Sequence, residues 1–147
     1  MAGRVCVDAN MALKLVLDEP DSLSARPVWA NWIEQDVEVV APTVLPYEVT
    51  AVIRNNVYRR RLTPEEGATA FHIVHAQDIQ LLCPDGLHQR AWELAIQYDR
   101  PTTHDTHYLA LAEMLGCELW TADERLFNAI KGKLAWVQWL GAHRDTA

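Results

Sequence analysis

The sequence predicts an α/β fold: a parallel sheet of about five strands, covered by helices on both faces. Two observations carry that prediction. Short β-branched or apolar runs recur at 4–7, 37–41, 79–83, 117–121 and 135–140. Between them lie stretches whose apolar residues repeat at helical spacing, and this alternation implies βαβ crossovers. The 147 residues contain no repeat, linker or low-complexity segment, so one domain over 1–147 is expected, long enough for a single well-buried core.

"RVCV" (4–7) is the first strand, and "MALKLVL" (11–17) reads as the first helix. A second helical stretch covers about 23–34. Pro27 inside it predicts a start near that residue or a bend, because proline lacks the donor N–H and its ring meets the preceding turn. "VEVVA" (37–41) is a β-branched strand closed by Pro42. Over 43–61, Leu45, Val49, Val52, Ile53 and Val57 form one apolar stripe; Thr43 is placed to cap this helix, and Pro46 is tolerated in its first turn. Thr63, Pro64 and Glu66 form a capping-box signature for the next helix. "IQLLC" (79–83) is the third strand. In 87–98, Leu87, Ala91, Leu94, Ala95 and Tyr98 share one face. "HDTHYLALAEMLG" (104–116) is an amphipathic helix with Gly116 as its stop. "CELWT" (117–121), the short helix "ADERLFNAI" and the strand "AWVQWL" (135–140) complete the series.

Half the residues are apolar and 22% are charged, the composition of a globular chain rather than a disordered one. No apolar run is long enough to span a bilayer and "MAGRVCVDAN" lacks a signal-peptide core, so a cytoplasmic location is expected. Cys6, Cys83 and Cys117 are odd in number and lack CxxC spacing, which argues against a disulfide framework or a zinc knot. They are expected as buried small hydrophobes. A net charge of −7 argues against a protein that coats nucleic acid nonspecifically. It permits a carboxylate-lined site neutralised by cations. Of the six tryptophans, most fall on apolar faces and belong to the core; Trp29 and Trp32 fit either the core or an exposed partner surface.

Ligands of open parallel sheets bind beyond the carboxyl ends of the strands. Four acidic residues map there: Asp8 closes strand one, Glu48 lies in the first turns after strand two, Asp105 opens the helix before strand four, and Asp123 follows strand four. Singly, three of them also read as helix caps or dipole partners. Glu48 flanks the apolar stripe, one turn before Val52, and is directed toward the interior side. Together they need neutralising, since two carboxylates about 4 Å apart repel by roughly 4 kcal/mol at an effective dielectric of 20. Protonation or a divalent cation would do this, and all-oxygen ligation favours Mg²⁺ or Mn²⁺ over zinc.

"VDAN", "APTVLPYEVTAVI", "HDTHYLALAEMLG" and "LWTADERLF", in that order and spacing, resemble the four acidic motifs of PIN-domain ribonucleases, closest to the VapC-like toxins of toxin–antitoxin pairs. The likeness runs from about residue 4 to residue 140. It implies a three-layer α/β/α sandwich in which Asp8, Glu48, Asp105 and Asp123 coordinate one or two Mg²⁺ or Mn²⁺ ions. It further implies that Asn10 and Thr121 support the first and last aspartates, and that a metal-activated water cleaves RNA. The partners it implies are RNA, a small antitoxin whose tail blocks the groove, and a second copy in a homodimer. Two departures stand out. His104 and Thr106 flank Asp105 where an aromatic residue and alanine are commoner, and Glu124-Arg125 follows Asp123 without a further aspartate.

A cleavage of this kind should leave a 5′-phosphate and a 3′-hydroxyl, and no GxSxG or Cys–His pattern supplies a covalent nucleophile. Arg54, Arg59, Arg60 and Arg61 follow Glu48 down its helix; Arg54 and Arg59 are candidates for guiding RNA, with Arg59 on nearly the face of Glu48. Arg60 and Arg61 read equally as a solvated helix end. His72/His75 and His104/His107 are spaced i,i+3, without a third ligand that would make a transition-metal site; His104 is a further candidate for the RNA groove. Two other readings remain open: a non-catalytic α/β binding module, and a phosphatase of the haloacid-dehalogenase type, for which Asn10 stands where a second acid is wanted. A DNA-directed nuclease fits the same metal–phosphate chemistry.

Overall fold

In the computed structural model, which describes residues 3–130 and 133–146, five parallel strands form one sheet in the order β3-β2-β1-β4-β5. The strands are β1 (Arg4–Val7), β2 (Glu38–Pro42), β3 (Gln80–Leu82), β4 (Glu118–Thr121) and β5 (Val137–Trp139). The helices are α1 (Ala9–Leu13), α2 (Ser22–Glu34), α3 (Leu45–Tyr58), α4 (Pro64–His75), α5 (Leu87–Gln97), α6 (His104–Leu115) and α7 (Glu124–Ile130), with a closing 3₁₀ segment at Leu140–Thr146. Successive strand side chains point to opposite faces, yet Val5, Cys6 and Val7 are all 3% exposed or less. The sheet is therefore the middle of three layers, as expected for an α/β sandwich. Helix α6 lies against β1, β2 and β4, and the Cys6 thiol donates to the Tyr108 carbonyl at 3.8 Å.

The chain runs outward from β1 through β2 to β3, then returns past β1 to β4 and β5. That reversal makes the crevice between the carboxyl ends of β1 and β4 the topological switch point, where open α/β sheets bind ligands. Parallel pairing sets Val7 opposite Trp120, and the Asp8 N–H donates to the Trp120 carbonyl at 3.3 Å. Asp8 and Thr121 thus arrive side by side through register alone.

Local chemistry explains most element ends. The Thr63 hydroxyl accepts from the Glu66 N–H at 3.0 Å while the Glu66 carboxylate accepts from the Thr63 N–H at 2.9 Å, a complete capping box for α4. Gly116 stops α6 in the left-handed region at φ 66°. Gly67 serves a different need: a Cβ there would stand 2.2 Å from a Val57 methyl, so α3 and α4 approach only over a glycine.

Several expectations are corrected. The first helix covers only Ala9–Leu13, because Asp8 caps it directly at the strand end. Helix α2 starts at Ser22 and runs through Pro27 without ending there. Its Trp29 and Trp32 are each 6% exposed and pack edge-to-face at 5.0 Å, and Trp32 meets Trp120 at 5.6 Å. This buried aromatic area offsets a proline cost of about 3 kcal/mol, and it removes the partner-surface option for the two tryptophans. Thr43 does not cap α3, which begins after Val44 with no side-chain cap. Val52 is 37% exposed and lines the pocket described below, so the buried stripe of α3 is Leu45, Val49 and Ile53. Strand β5 is three residues long. Cys6 is buried, but Cys117 is half-buried and Cys83 exposed, since Cys83 falls just past the short edge strand β3. Trp92 is exposed on the outer face of α5. Among the described residues no helix is long and apolar enough to cross a membrane.

Candidate active site

At the carboxyl end of the sheet a pocket of about 290 Å³ gathers Asp8, Glu48, Asp105 and Asp123, which come from four separate stretches of chain. Asp8 is 5% exposed and does two structural jobs at once. Its Oδ1 accepts from the Met11 N–H at 2.8 Å, capping α1, and its Oδ2 accepts from the Thr121 hydroxyl. The same Thr121 oxygen accepts from the Asp123 N–H at 2.9 Å, so one buried hydroxyl ties the first and last aspartates together. Asp123 Oδ1 accepts from the N–H groups of Arg125 (2.9 Å) and Leu126 (3.4 Å) and so caps α7. Glu48, in the first turns of α3, accepts from the Tyr108 hydroxyl at 2.9 Å. Asp105 is gripped from one side, its Oδ2 receiving Arg100 Nε at 3.1 Å and Nη2 at 3.0 Å. Its Oδ1 is buried and has no hydrogen-bond partner.

The electrostatics follow from this burial. Desolvation pushes the Asp8 carboxyl up to about 7. The bonds from Thr121 and Met11 pull it down, and the charges of Asp123 and Glu48 add to the rise. Burial first, and then the charge and hydrogen bond of Glu48, raise the Tyr108 phenol far above its ordinary value. Tyr108 therefore remains a hydroxyl and a dedicated donor to Glu48.

Whether such a site fits a cation is decided by its donors. The set is all oxygen, which suits a hard divalent ion. One buried acceptor, Asp105 Oδ1, lacks a donor, and one carboxyl, Asp8, is pushed up to about 7 by burial and, to a lesser degree, by the neighbouring charges of Asp123 and Glu48. The residues fit. Among the described residues, however, no three His, Cys, Asp or Glu side chains form a ready-made cage, because each carboxylate is turned to its own protein donor.

The supporting residues divide. Thr121 bonds Asp8 directly; Asn10 lines the pocket with an exposed side chain, and no hydrogen bond joins it to Asp8. His104 lines the pocket, while Thr106 turns into the core and donates to the Thr103 carbonyl at 3.2 Å. Arg54 and Arg59 are not among the lining residues. Arg54 lies over the Tyr58 ring, 5.8 Å from its centroid, and Arg59 caps the far end of α3. The paired histidines are also absorbed elsewhere: His107 meets His88 at 2.9 Å, and His75 meets the Thr50 hydroxyl at 2.9 Å.

Ala9, Arg100, Thr102 and Tyr108 also line the pocket without having been marked by the sequence, and Arg125, noted there as a departure, lines it too. Tyr108 had a signal, since it lies one turn after Asp105 and is the one hydroxyl-bearing aromatic in that apolar helix. Arg100 had only its nearness to Asp105, five residues on.

With this geometry in place, the likenesses to known proteins are consistent. The PIN domain model matches residues 5–133. The chain is 29% identical over 122 residues to Ribonuclease VapC9 of Mycobacterium tuberculosis and to a VapC ribonuclease of Mycobacterium bovis, an overlap of 83% of this chain and 87% of each relative. The crystal structure of VapC20 of M. tuberculosis, a sarcin–ricin loop cleaving toxin, superimposes with a TM-score of 0.63 at 17% identity, over 86% of this chain and 95% of that one. PAE2754 of Pyrobaculum aerophilum gives 0.64 at 20% identity over 91% of both. At those identities the two structures speak for the fold alone. The family model, spanning most of the chain, speaks for descent: the chain belongs to the PIN-domain family.

Proposed function

We propose that the chain is a Mg²⁺- or Mn²⁺-dependent endoribonuclease, the toxin of a toxin–antitoxin pair acting in the cytoplasm. The observation that carries this reading is the meeting of Asp8, Glu48, Asp105 and Asp123 in one pocket at the switch point, with Asp105 Oδ1 buried and bare. The names of the relatives, VapC ribonucleases, agree with it. In this reading the four carboxylates hold the cation. When bound, it supplies an activated water at neutral pH and positive charge for the phosphate undergoing attack.

The chain's own residues do the rest. Thr121 orients Asp8 and, through its oxygen, the backbone of Asp123. Tyr108 holds Glu48 toward the pocket as a permanent donor. Asp8 gives up its proton near neutrality, so it is free to take a cation there. In this reading His104, which lines the pocket, meets the RNA strand, and hydrolysis leaves a 5′-phosphate and a 3′-hydroxyl. The acidic rim suits a basic tail on an antitoxin, and a homodimer is part of the same proposal.

One observation favours the rival, a binding module without catalysis: every carboxylate already has a protein donor. Cleavage of a mixed structured-RNA pool by wild type and Asp8→Asn, each with Mg²⁺, Mn²⁺ or EDTA, separates the two. The expected result is cleavage by wild type alone, lost in EDTA and reduced by at least about a hundredfold in the variant. Silence in every lane, with no thermal shift on adding Mn²⁺, would favour the binding module. Equal cleavage by both proteins would mean that the activity does not reside in this site.

A further inference from the structure

We propose that Arg100 is the resident counter-ion of Asp105, displaced from it when a divalent cation binds, and that its freed guanidinium then takes a phosphate oxygen of the RNA. The inference rests on the metal-nuclease reading and adds a positioning residue to it. Arg100 and Arg125 are the two arginines lining the pocket, and among the described residues Arg100 is the one paired there with a carboxylate side chain.

The form of that pair is informative. A guanidinium fork usually satisfies both oxygens of a carboxylate in parallel. Here Nε and Nη2 both fall on Oδ2, at 3.1 and 3.0 Å, and Oδ1 is left buried without a partner. The two side chains are 18% and 19% exposed, so little water screens the pair or reaches the bare oxygen. A half-satisfied, part-buried ion pair is weakly held, because desolvation opposes it and its second, buried oxygen goes unmet. A divalent ion on that oxygen would complete the carboxylate and repel the guanidinium beside it.

Arg100 is built to move only at its head. Helix α5 ends at Gln97, Asp99 takes the left-handed conformation at φ 50°, and the Arg100 N–H donates back to the Ala95 carbonyl at 2.8 Å. This turn closes the helix in the Schellman manner and pins the Arg100 backbone at the pocket wall. Pro101 follows and restricts the chain further. The long side chain keeps its rotatable bonds. A pocket lined by four carboxylates repels a polyanion, and a guanidinium released there offers the planar fork that phosphate oxygens match.

The test uses the full chain, stripped of metal, as wild type, Arg100→Gln and Arg100→Lys. Calorimetric titration with MnCl₂ reads the competition directly. Removing the competing cation should tighten Mn²⁺ binding in Arg100→Gln by about tenfold, whereas a residue that merely shaped the site would weaken it when lost. In saturating MnCl₂ the same variant should raise KM for RNA about tenfold with a smaller change in kcat, and Arg100→Lys should fall between. Mn²⁺ affinity that is unchanged or weaker in the variants overturns the proposal while leaving the metal reading intact. Cleavage by wild type in EDTA without Mn²⁺ uptake overturns both. If Arg100→Gln does not fold, the direction of the shift in Arg100→Lys decides.

Discussion

The two ends of the sheet each carry a depression and an arginine–carboxylate pair, and they treat charge in opposite ways. At the amino end, Gly3, Arg4, Glu38, Cys117 and Glu118 line a depression of about 450 Å³, the larger of the two. Its pair, Arg4–Glu38 at 3.2 Å, has both side chains about 40% exposed, so water does most of the solvation. At the carboxyl end the pocket is smaller, about 290 Å³, but its aspartates are sunk among protein donors. There Asp8 is pushed up to about 7 and Asp105 keeps a bare oxygen. Size does not separate the two ends. Incomplete neutralisation of buried charge does, and among the described residues it arises where four acidic segments are brought past the ends of buried strands.

The largest expected effect breaks this contrast by protonation. Asp8 has its folded value near 7 and its ordinary value near 3.8, so between them the folded chain binds more protons than the unfolded one. Stability from this group is fully present below about 4 and is lost as pH rises through 7. At about 1.4 kcal/mol for each pH unit, the gap corresponds to about 4 kcal/mol. Urea unfolding in EDTA at pH 5 and pH 8 should therefore show wild type losing more stability than Asp8→Asn. Parallel losses in the two proteins would remove burial of Asp8 as the cause. Mn²⁺ at pH 8 should restore stability to wild type alone.

The second effect acts on the hydroxyl that joins the two aspartates. Thr121→Val keeps the shape of a fully buried side chain but strands Asp8 Oδ2 and the Asp123 N–H. A loss of about 2–3 kcal/mol in urea unfolding is expected, together with weaker Mn²⁺ binding. A neutral substitution would mean that water replaces the hydroxyl, and the carboxyl end would then resemble the amino end after all.

These two ends differ in how far the sequence discloses them. The order of elements and the strand-end positions of Asp8 and Asp123 are legible because hydrophobic periodicity marks where buried strands stop. Helix caps read equally well when both partners are local, as with Thr63 and Glu66. The donors of the pocket are not legible in that way. Tyr108 reaches Glu48 across 60 residues of chain, and Thr121 reaches Asp8 across 113, so each contact depends on a strand order that periodicity does not state. Arg100 is close to Asp105 in sequence, yet its direction depends on the left-handed turn at Asp99, a conformation that aspartate tolerates but that periodicity does not signal. Val52 shows the converse. It belongs to the apolar stripe of α3 by spacing, but the pocket opens beside that turn and leaves it at the wall.

The smallest effect is the control that gives the comparison its meaning. Glu38→Gln removes the charge partner of Arg4 at the amino end without leaving a buried group unpaired, since both side chains already contact water. Exposed pairs of this kind are worth about 0–1 kcal/mol, so urea unfolding should shift by no more than that, and less in high salt. Mn²⁺ affinity and RNA cleavage should stay at wild-type levels, because Glu38 pairs with Arg4 at the opposite end of the sheet from the four carboxylates. A large change in either would mean that acidic charge anywhere on this chain governs cation uptake through its overall field. The carboxyl-end pocket would then hold no privilege beyond its share of the net charge, and the buried, half-neutralised geometry of Asp105 would cease to explain it.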